Sequence, residues 1–189
     1  LPVTGSTPAV ILAAGSGRRM GGPKALLRVG DETLLHRMAR VALEAGCAPV
    51  LAVVGDWAPG LDDLAVQVLV NAGAAEGMAS SLRLGISTLP EETEAALILT
   101  VDQPAVDAGL LRALLALAAR DPDRPTVCAY ADTLGIPAVV PRRLFAELNS
   151  LQGEQGAKPI LLREGAVSLP FPEGAFDLDT PEDLERLRR

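Results

Sequence analysis

Ala9-Val10-Ile11-Leu12-Ala13 runs directly into Ala14-Gly15-Ser16-Gly17-Arg18-Arg19-Met20-Gly21-Gly22-Pro23-Lys24. The first five residues carry no polar side chain. Such a run suits a strand buried on both faces, the kind found in parallel sheets that helices cover on either side. The stretch after it is rich in glycine and holds Arg18, Arg19 and Lys24, although the whole chain has 17 Lys plus Arg against 24 Asp plus Glu and a net charge of −7. Glycine lets backbone N–H groups close around an anion, and the cations favour a highly charged one. In open α/β sheets ligands bind beyond the carboxyl ends of the strands, where this loop falls. A triphosphate is the natural occupant.

Outward from this stretch, short apolar runs alternate with amphipathic ones. Residues 33–44 have helical spacing, with Leu34, Leu35, Met38, Val41 and Ala42 on one side and a stop at Gly46. Strands are predicted at 50–54, 66–70 and 95–101, and helices at 77–88 and 108–120. Past Thr126 the pattern loosens to strands at 127–131, 138–140 and 167–169, a helix over 142–149, and a closing helix over 181–189 capped by Thr180. The expectation is an α/β, single-domain, Rossmann-like three-layer fold with a mostly parallel sheet flanked by helices. The domain spans 9–189 after a tail of 1–8.

Composition narrows the partners. An apolar share of 49% excludes a disordered chain. No apolar run approaches the ~20 residues of a membrane helix, so no membrane partner is expected. Acidity and only five aromatic residues (Trp57, Tyr130, Phe145, Phe171, Phe176) argue against a nucleic-acid partner. Cys47 and Cys128 have no metal-ligand spacing and read as buried thiols of a cytoplasmic protein. His36, the one histidine, reads as structural, since no nucleophile elbow accompanies it.

Two familiar phosphate motifs fail. A GxGxxG fingerprint lacks its third glycine, where Met20 stands, and a Walker A reading ends in Lys24-Ala25 without the hydroxyl that holds Mg²⁺. Carboxylates are candidates for that metal instead. Asp102 ends the 95–101 strand, and Mg²⁺ takes one or two carboxylates plus phosphate oxygens. In Phe176-Asp177-Leu178-Asp179-Thr180-Pro181, alternation puts Asp177 and Asp179 on one face, so either could complete the site. The same segment also reads as a capping box for the last helix. Two carboxylates facing each other without a cation would repel, so one should hold protons more readily than usual.

The segment 12–24 resembles the LAAGxGxRMGxxK signature of sugar-nucleotide and molybdenum-cofactor nucleotidyltransferases. Asn71 with Gly77-Met78-Ala79-Ser80-Ser81-Leu82 is similar to that family's second nucleotide segment, and Asp102-Gln103-Pro104 to its metal-binding DQP. Residues 151–158 resemble the GDxGAR segment of the molybdenum-cofactor branch, and 177–184 match its closing DxDTPEDL. The resemblance runs in order from 9 to 187. Within it, the molybdenum cofactor cytidylyltransferases look most similar, because Ala14 stands where guanylyltransferases carry Gly. Ile136 replaces the His of a GHP segment, and Glu154 and Lys158 replace Asp and Arg, all on the acceptor side. Some chains with the same opening are oxidoreductases acting on nicotine-derived pigments.

The resemblance implies transfer of CMP from CTP to a phosphorylated pterin such as molybdopterin, and a molybdoenzyme that receives the product. Leu12, Ala13, Ala14 and Gly15 would line base and ribose through backbone groups, and Gly15, Ser16 and Gly17 would wrap the phosphates. Arg19 and Lys24 would neutralise the β- and γ-phosphates, with Arg18 outside the site. Asn71, Gly77 and Ser80 or Ser81 would contact the base, and Asp102 and Asp179 would hold Mg²⁺. No general base is needed, because an acceptor phosphate is already an anion at pH 7.

Overall fold

The structure, a computed structural model, describes residues 6–17 and 21–187. Its strands are β1 (Ala9–Leu12), β2 (Arg28–Val29), β3 (Glu32–Thr33), β4 (Val50–Val54), β5 (Val66–Val70), β6 (Ala95–Thr100), β7 (Thr126–Tyr130), β8 (Thr133–Pro141) and β9 (Val167–Pro170). Its α-helices are α1 (Leu34–Glu44), α2 (Met78–Thr88), α3 (Ala108–Ala118), α4 (Phe145–Leu148), α5 (Lys158–Arg163) and α6 (Pro181–Leu187). Seven strands form one sheet in the order β5-β4-β1-β6-β8-β7-β9, and β2 and β3 make a separate hairpin. All neighbours in the large sheet are parallel except β8, which runs against both β6 and β7.

Every residue of β1 is buried, as its unbroken apolar run predicts. The period of two sends Ala9 and Ile11 to one face, where they meet Leu34, Leu35 and Met38 of α1 and Leu111 and Leu114 of α3. Val10 and Leu12 go to the other face, against Leu82 and Ile86 of α2, Leu148 of α4 and Ile160 and Leu161 of α5. Two helical layers therefore enclose the sheet. The α2 layer sits close because Gly85 lacks a side chain: a Cβ there would lie 2.3 Å from Val10 Cγ1. Helix α1 starts where expected, with the Thr33 hydroxyl accepting from His36 N at 3.1 Å.

The predicted elements are present with shifts at their ends. Strand β6 stops one residue early and α3 two residues early. The 142–149 helix divides into a 3₁₀ turn (Arg142–Leu144) and the single turn of α4. Strand β8 is far longer than the predicted 138–140, because Thr133 to Gly135 pair back onto β7 across a bulge at Val127/Cys128. Its Gly135 and Pro137 break the apolar pattern that periodicity reads. The β2–β3 hairpin and the six-residue α5 are too short to leave a periodic signal. No helix among the described residues is long and apolar enough to cross a membrane.

Candidate active site

Four parallel strands, β1, β4, β5 and β6, end on one edge of the sheet, so the segments after them meet there. The antiparallel β8 brings its first residues, Thr133 to Ile136, to the same edge. The first of these segments follows β1. The side chains of Leu12 and Ala13 belong to the core, and Ala13 N donates to Val53 O at 2.8 Å, which leaves the loop from Ala14 onward to face a ligand. Gly15 and Ser16 are exposed. Gly17 has φ +57°, and a Cβ there would fall 1.8 Å from Gly22 O, so the loop closes on itself only with glycine at this place. Arg19, expected on the phosphates, lies outside the described residues, as does Arg18.

Lys24 is held differently from a free loop lysine. It opens the 3₁₀ turn Lys24–Leu26, which the buried Ala25 pins to the core. Its Nζ donates to Asp179 Oδ1 and lies 3.8 Å from Asp102 Oδ2, with the Lys24 side chain only 22% exposed. Asp102 sits just beyond β6, after the buried Val101. Leu178 N donates to Asp102 O at 2.8 Å and the Leu178 side chain is fully buried, so Asp177 and Asp179 flank an anchored residue beside Asp102. Residues distant in the chain thus converge on one amine. The expected repulsion between Asp102 and Asp179 meets the Lys24 cation, and the carboxyl that rises is Asp177. Partial burial, then the charges of Asp102 and Asp179, push it up to about 6 against the opposing pull of Lys24.

These residues fit a divalent cation. Asp102 and Asp179 both reach one cationic atom, so a metal could share them. Among the described residues no cluster of three or more His, Cys, Asp and Glu side chains is arranged to hold a metal unaided. A metal here would draw its remaining ligands from phosphate oxygens and water, as Mg²⁺ does. The last helix also has its capping box: Asp183 Oδ2 accepts from Thr180 N and Thr180 Oγ1, each at 2.9 Å.

The second segment is braced from within. The buried Asn71 donates to Ser80 Oγ and Ser81 Oγ, each at 2.9 Å, and its Oδ1 accepts from Gly73 N at 2.9 Å. Ser80 Oγ in turn donates to Gly77 O at 2.8 Å. Gly77 has φ +123°, a conformation essentially reserved for glycine, and a Cβ there would lie 2.4 Å from Gly153 O. With Ala79 N donating to Gly153 O at 3.0 Å, this locks the segment against residues 151–158.

Beside Asp102 opens a crevice of about 380 Å³, lined among others by Gln103, Tyr130, Ile136, Lys158 and Asp177. Lys158 Nζ donates to Thr133 Oγ1 there, and Ile136 contributes an apolar wall. Glu154 stands apart, against Gly77. Tyr130 was visible in the sequence only as one of few aromatics; its phenol, raised by burial, donates to Ile136 O at 3.1 Å and packs edge-on against Phe171. The His36 ring is engaged with acidic side chains instead, pairing with Asp63 at 3.0 Å and Glu32 at 3.3 Å. Burial pushes the Cys47 and Cys128 thiols up to about 11 and about 12, as expected of structural cysteines.

Residues 9–167 match the model of the MobA-like NTP transferase domain. The chain belongs to this family. Among relatives of this MobA-like chain, the molybdenum cofactor guanylyltransferase of Rhodobacter capsulatus is 31% identical, over 94% of this chain and 92% of its own. The nicotine blue oxidoreductase of Paenarthrobacter nicotinovorans is 30% identical, over 94% of each. Among solved structures, Rv0371c of Mycobacterium tuberculosis superposes with a TM-score of 0.82 at 29% identity, covering 97% of each chain. A structure of that protein in complex with manganese superposes at 0.75 and 28% identity, covering 97% of this chain and 98% of that one.

Proposed function

We propose that this MobA-like transferase moves a nucleotidyl group, CMP from CTP, onto a phosphorylated pterin such as molybdopterin and releases pyrophosphate with Mg²⁺ as its metal. The observation that carries the reading is the meeting of Lys24, from the 3₁₀ turn after the β1 loop, with Asp102, just beyond β6, and Asp179, which lies in the segment before α6 and not at a strand end as the sequence suggested. Nucleotidyl transfer asks the protein chiefly to align an acceptor phosphate with the α-phosphorus and to hold charge. The loop from Ala14 to Gly17 cradles the nucleotide, and Lys24 leaves its aspartates to neutralise the triphosphate and the departing pyrophosphate. Asp102 and Asp179 hold the metal, which supplies electrophilic assistance at the phosphates when bound. Asn71, Ser80 and Ser81 shape the segment that faces the base. The acceptor enters through the crevice lined by Gln103 and Lys158, its phosphate already ionised and in need of no base.

Ala14 favours the smaller base, since its methyl narrows the space beside the loop. Shape selection of this kind is limited to ~1–3 kcal/mol, so preference rather than exclusion is expected. The nicotine blue oxidoreductase relative supplies the second reading, a reductase using NAD(P)H. Thermal shift with ATP, CTP, GTP and UTP, each with and without Mg²⁺, separates the two. The transferase is stabilised most by CTP and only with metal. Stabilisation by NADPH without metal, and by none of the triphosphates, would overturn the proposal in favour of the reductase.

A further inference from the structure

The start of α1 is tied to the active-site edge at two points. Leu34 N, in its first turn, donates to Leu27 O at 2.9 Å, directly after the 3₁₀ turn that carries Lys24. Within one further turn, the half-buried Arg37 reaches the loop that follows Asp102. Its Nη2 donates to Pro104 O at 2.7 Å and to Val106 O at 3.2 Å. A single guanidinium nitrogen thus spends both of its N–H groups on this loop, and bonds from a charged donor are the strong kind. The Glu32 carboxyl is lowered first by its bond to Arg40 and last by the charge of Arg37, so Arg37 is left to the loop.

The loop is also held from the C-terminal segment, where Leu178 N donates to Asp102 O and Gly174 O accepts from Gln103 Nε2. Arg37 supplies the tie from α1, two residues past Asp102. The same helix end therefore carries the Lys24 turn and the Asp102 loop, and the 3.8 Å between Lys24 Nζ and Asp102 Oδ2 depends on both ties. Mg²⁺ demands near-ideal octahedral geometry, and groups that work together must be held to within ~0.5 Å. We propose that Arg37 is a positioning residue for a divalent cation: it fixes the backbone behind Asp102 so that this carboxylate and the triphosphate held by Lys24 meet one metal. The inference rests on the metal role proposed above for Asp102. Arg37 acts through that loop and touches neither metal nor nucleotide. A lysine keeps the charge but lacks the planar fork that reaches both carbonyls in one geometry.

The probe is Mn²⁺, which takes the same oxygen ligands as Mg²⁺ and is read by EPR. Its binding is titrated with CTP kept below the protein concentration, so that little free nucleotide competes, for wild type, Arg37→Met and Arg37→Lys. Arg112→Met is the control: Arg112 also ties a helix to a carbonyl, donating to Glu44 O at 3.0 Å, but outside the Asp102 loop. Arg37→Met should weaken Mn²⁺ binding roughly tenfold, the low end for groups that orient a metal's ligands, and Arg37→Lys roughly threefold, with Arg112→Met at the wild-type value. Both methionine variants should lower the melting temperature by a few degrees. Unchanged Mn²⁺ affinity in Arg37→Met overturns the inference and leaves Asp102 in place; a lower melting temperature alone then marks Arg37 as a structural tie. If Arg37→Met does not fold, wild-type affinity in Arg37→Lys overturns it equally. The same loss in Arg112→Met also overturns it, because the effect is then general destabilisation. Wild type that binds no Mn²⁺ in the presence of CTP overturns the metal role of Asp102 itself, and this inference with it.

Discussion

Lys24→Ala tests the site at its centre, and the structure sets the size of the effect. In the free protein Lys24 holds Asp179, whose side chain is 53% exposed, and more distantly Asp102 at 3.8 Å. Exposed pairs of this kind contribute about 0.2–1 kcal/mol each. The free variant should therefore lose ~1 kcal/mol, which for a chain of this length lowers the melting temperature by about 2–4 °C. The triphosphate complex should suffer more. A charge-assisted phosphate contact is worth ~1.5–3 kcal/mol, or roughly 10- to 150-fold in affinity. Asp102 and Asp179 are also left facing the phosphates without their cation, which pushes the loss toward the upper end. Calorimetric titration with Mg²⁺–CTP measures the affinity, and Lys24→Arg should recover part of it. A Lys24→Ala protein that binds Mg²⁺–CTP as tightly as wild type would refute the assignment of Lys24 to the phosphates.

Gly85→Ala should destabilise the protein by about 1–3 kcal/mol in urea denaturation, because its Cβ would meet Val10 Cγ1 at 2.3 Å in a packed core, offsetting the gain in helix propensity; equal or greater stability would show that α2 can retreat from the sheet. Hydrogen bonding to Asp63, then to Glu32, raises the pKa of His36 above 6.5. Its contribution to stability is complete below the unfolded value and is lost as pH rises through the folded one. The melting-temperature difference between wild type and His36→Gln should thus be larger near about pH 5.5 than near about pH 9, with turnover unchanged. Asp179→Asn should lower Mg²⁺-dependent turnover less than Asp102→Asn does, since an amide oxygen can still ligate a metal; a Mg²⁺ titration of both variants checks the order.

The sheet was legible because its strands are short apolar runs bounded by glycine or polar residues, whether buried throughout as in the central β4 or partly exposed as in the edge strand β5. Val50–Val54 and Val66–Val70 could be bounded to the residue, and the carboxylates that end or flank such runs marked the edge where ligands bind. Alternation correctly put Asp177 and Asp179 on one side of Leu178, because the intervening residue is the one that enters the core. What stayed hidden depends on contacts between distant segments. Nothing in Pro23-Lys24-Ala25 announces that Lys24 will meet Asp179, 155 positions away. The acceptor side was least legible, since β8 approaches that edge backwards and its first residues carry glycine and proline instead of an alternating pattern. Gln103 was visible as part of a motif, but its bond to Gly174 emerges only in the fold.

The most direct test of the central claim is pyrophosphate release by wild type and Asp102→Asn with each of the four triphosphates, Mg²⁺ and molybdopterin as acceptor. Wild type should release pyrophosphate fastest from CTP and only when metal and acceptor are both present. Asp102→Asn should be folded, with a melting temperature at or above that of wild type, and inactive. Faster use of GTP would overturn the cytidylyl preference alone. No pyrophosphate from any triphosphate, or near-normal turnover by Asp102→Asn, would contradict the account of this site as a metal-assisted nucleotidyl-transfer centre.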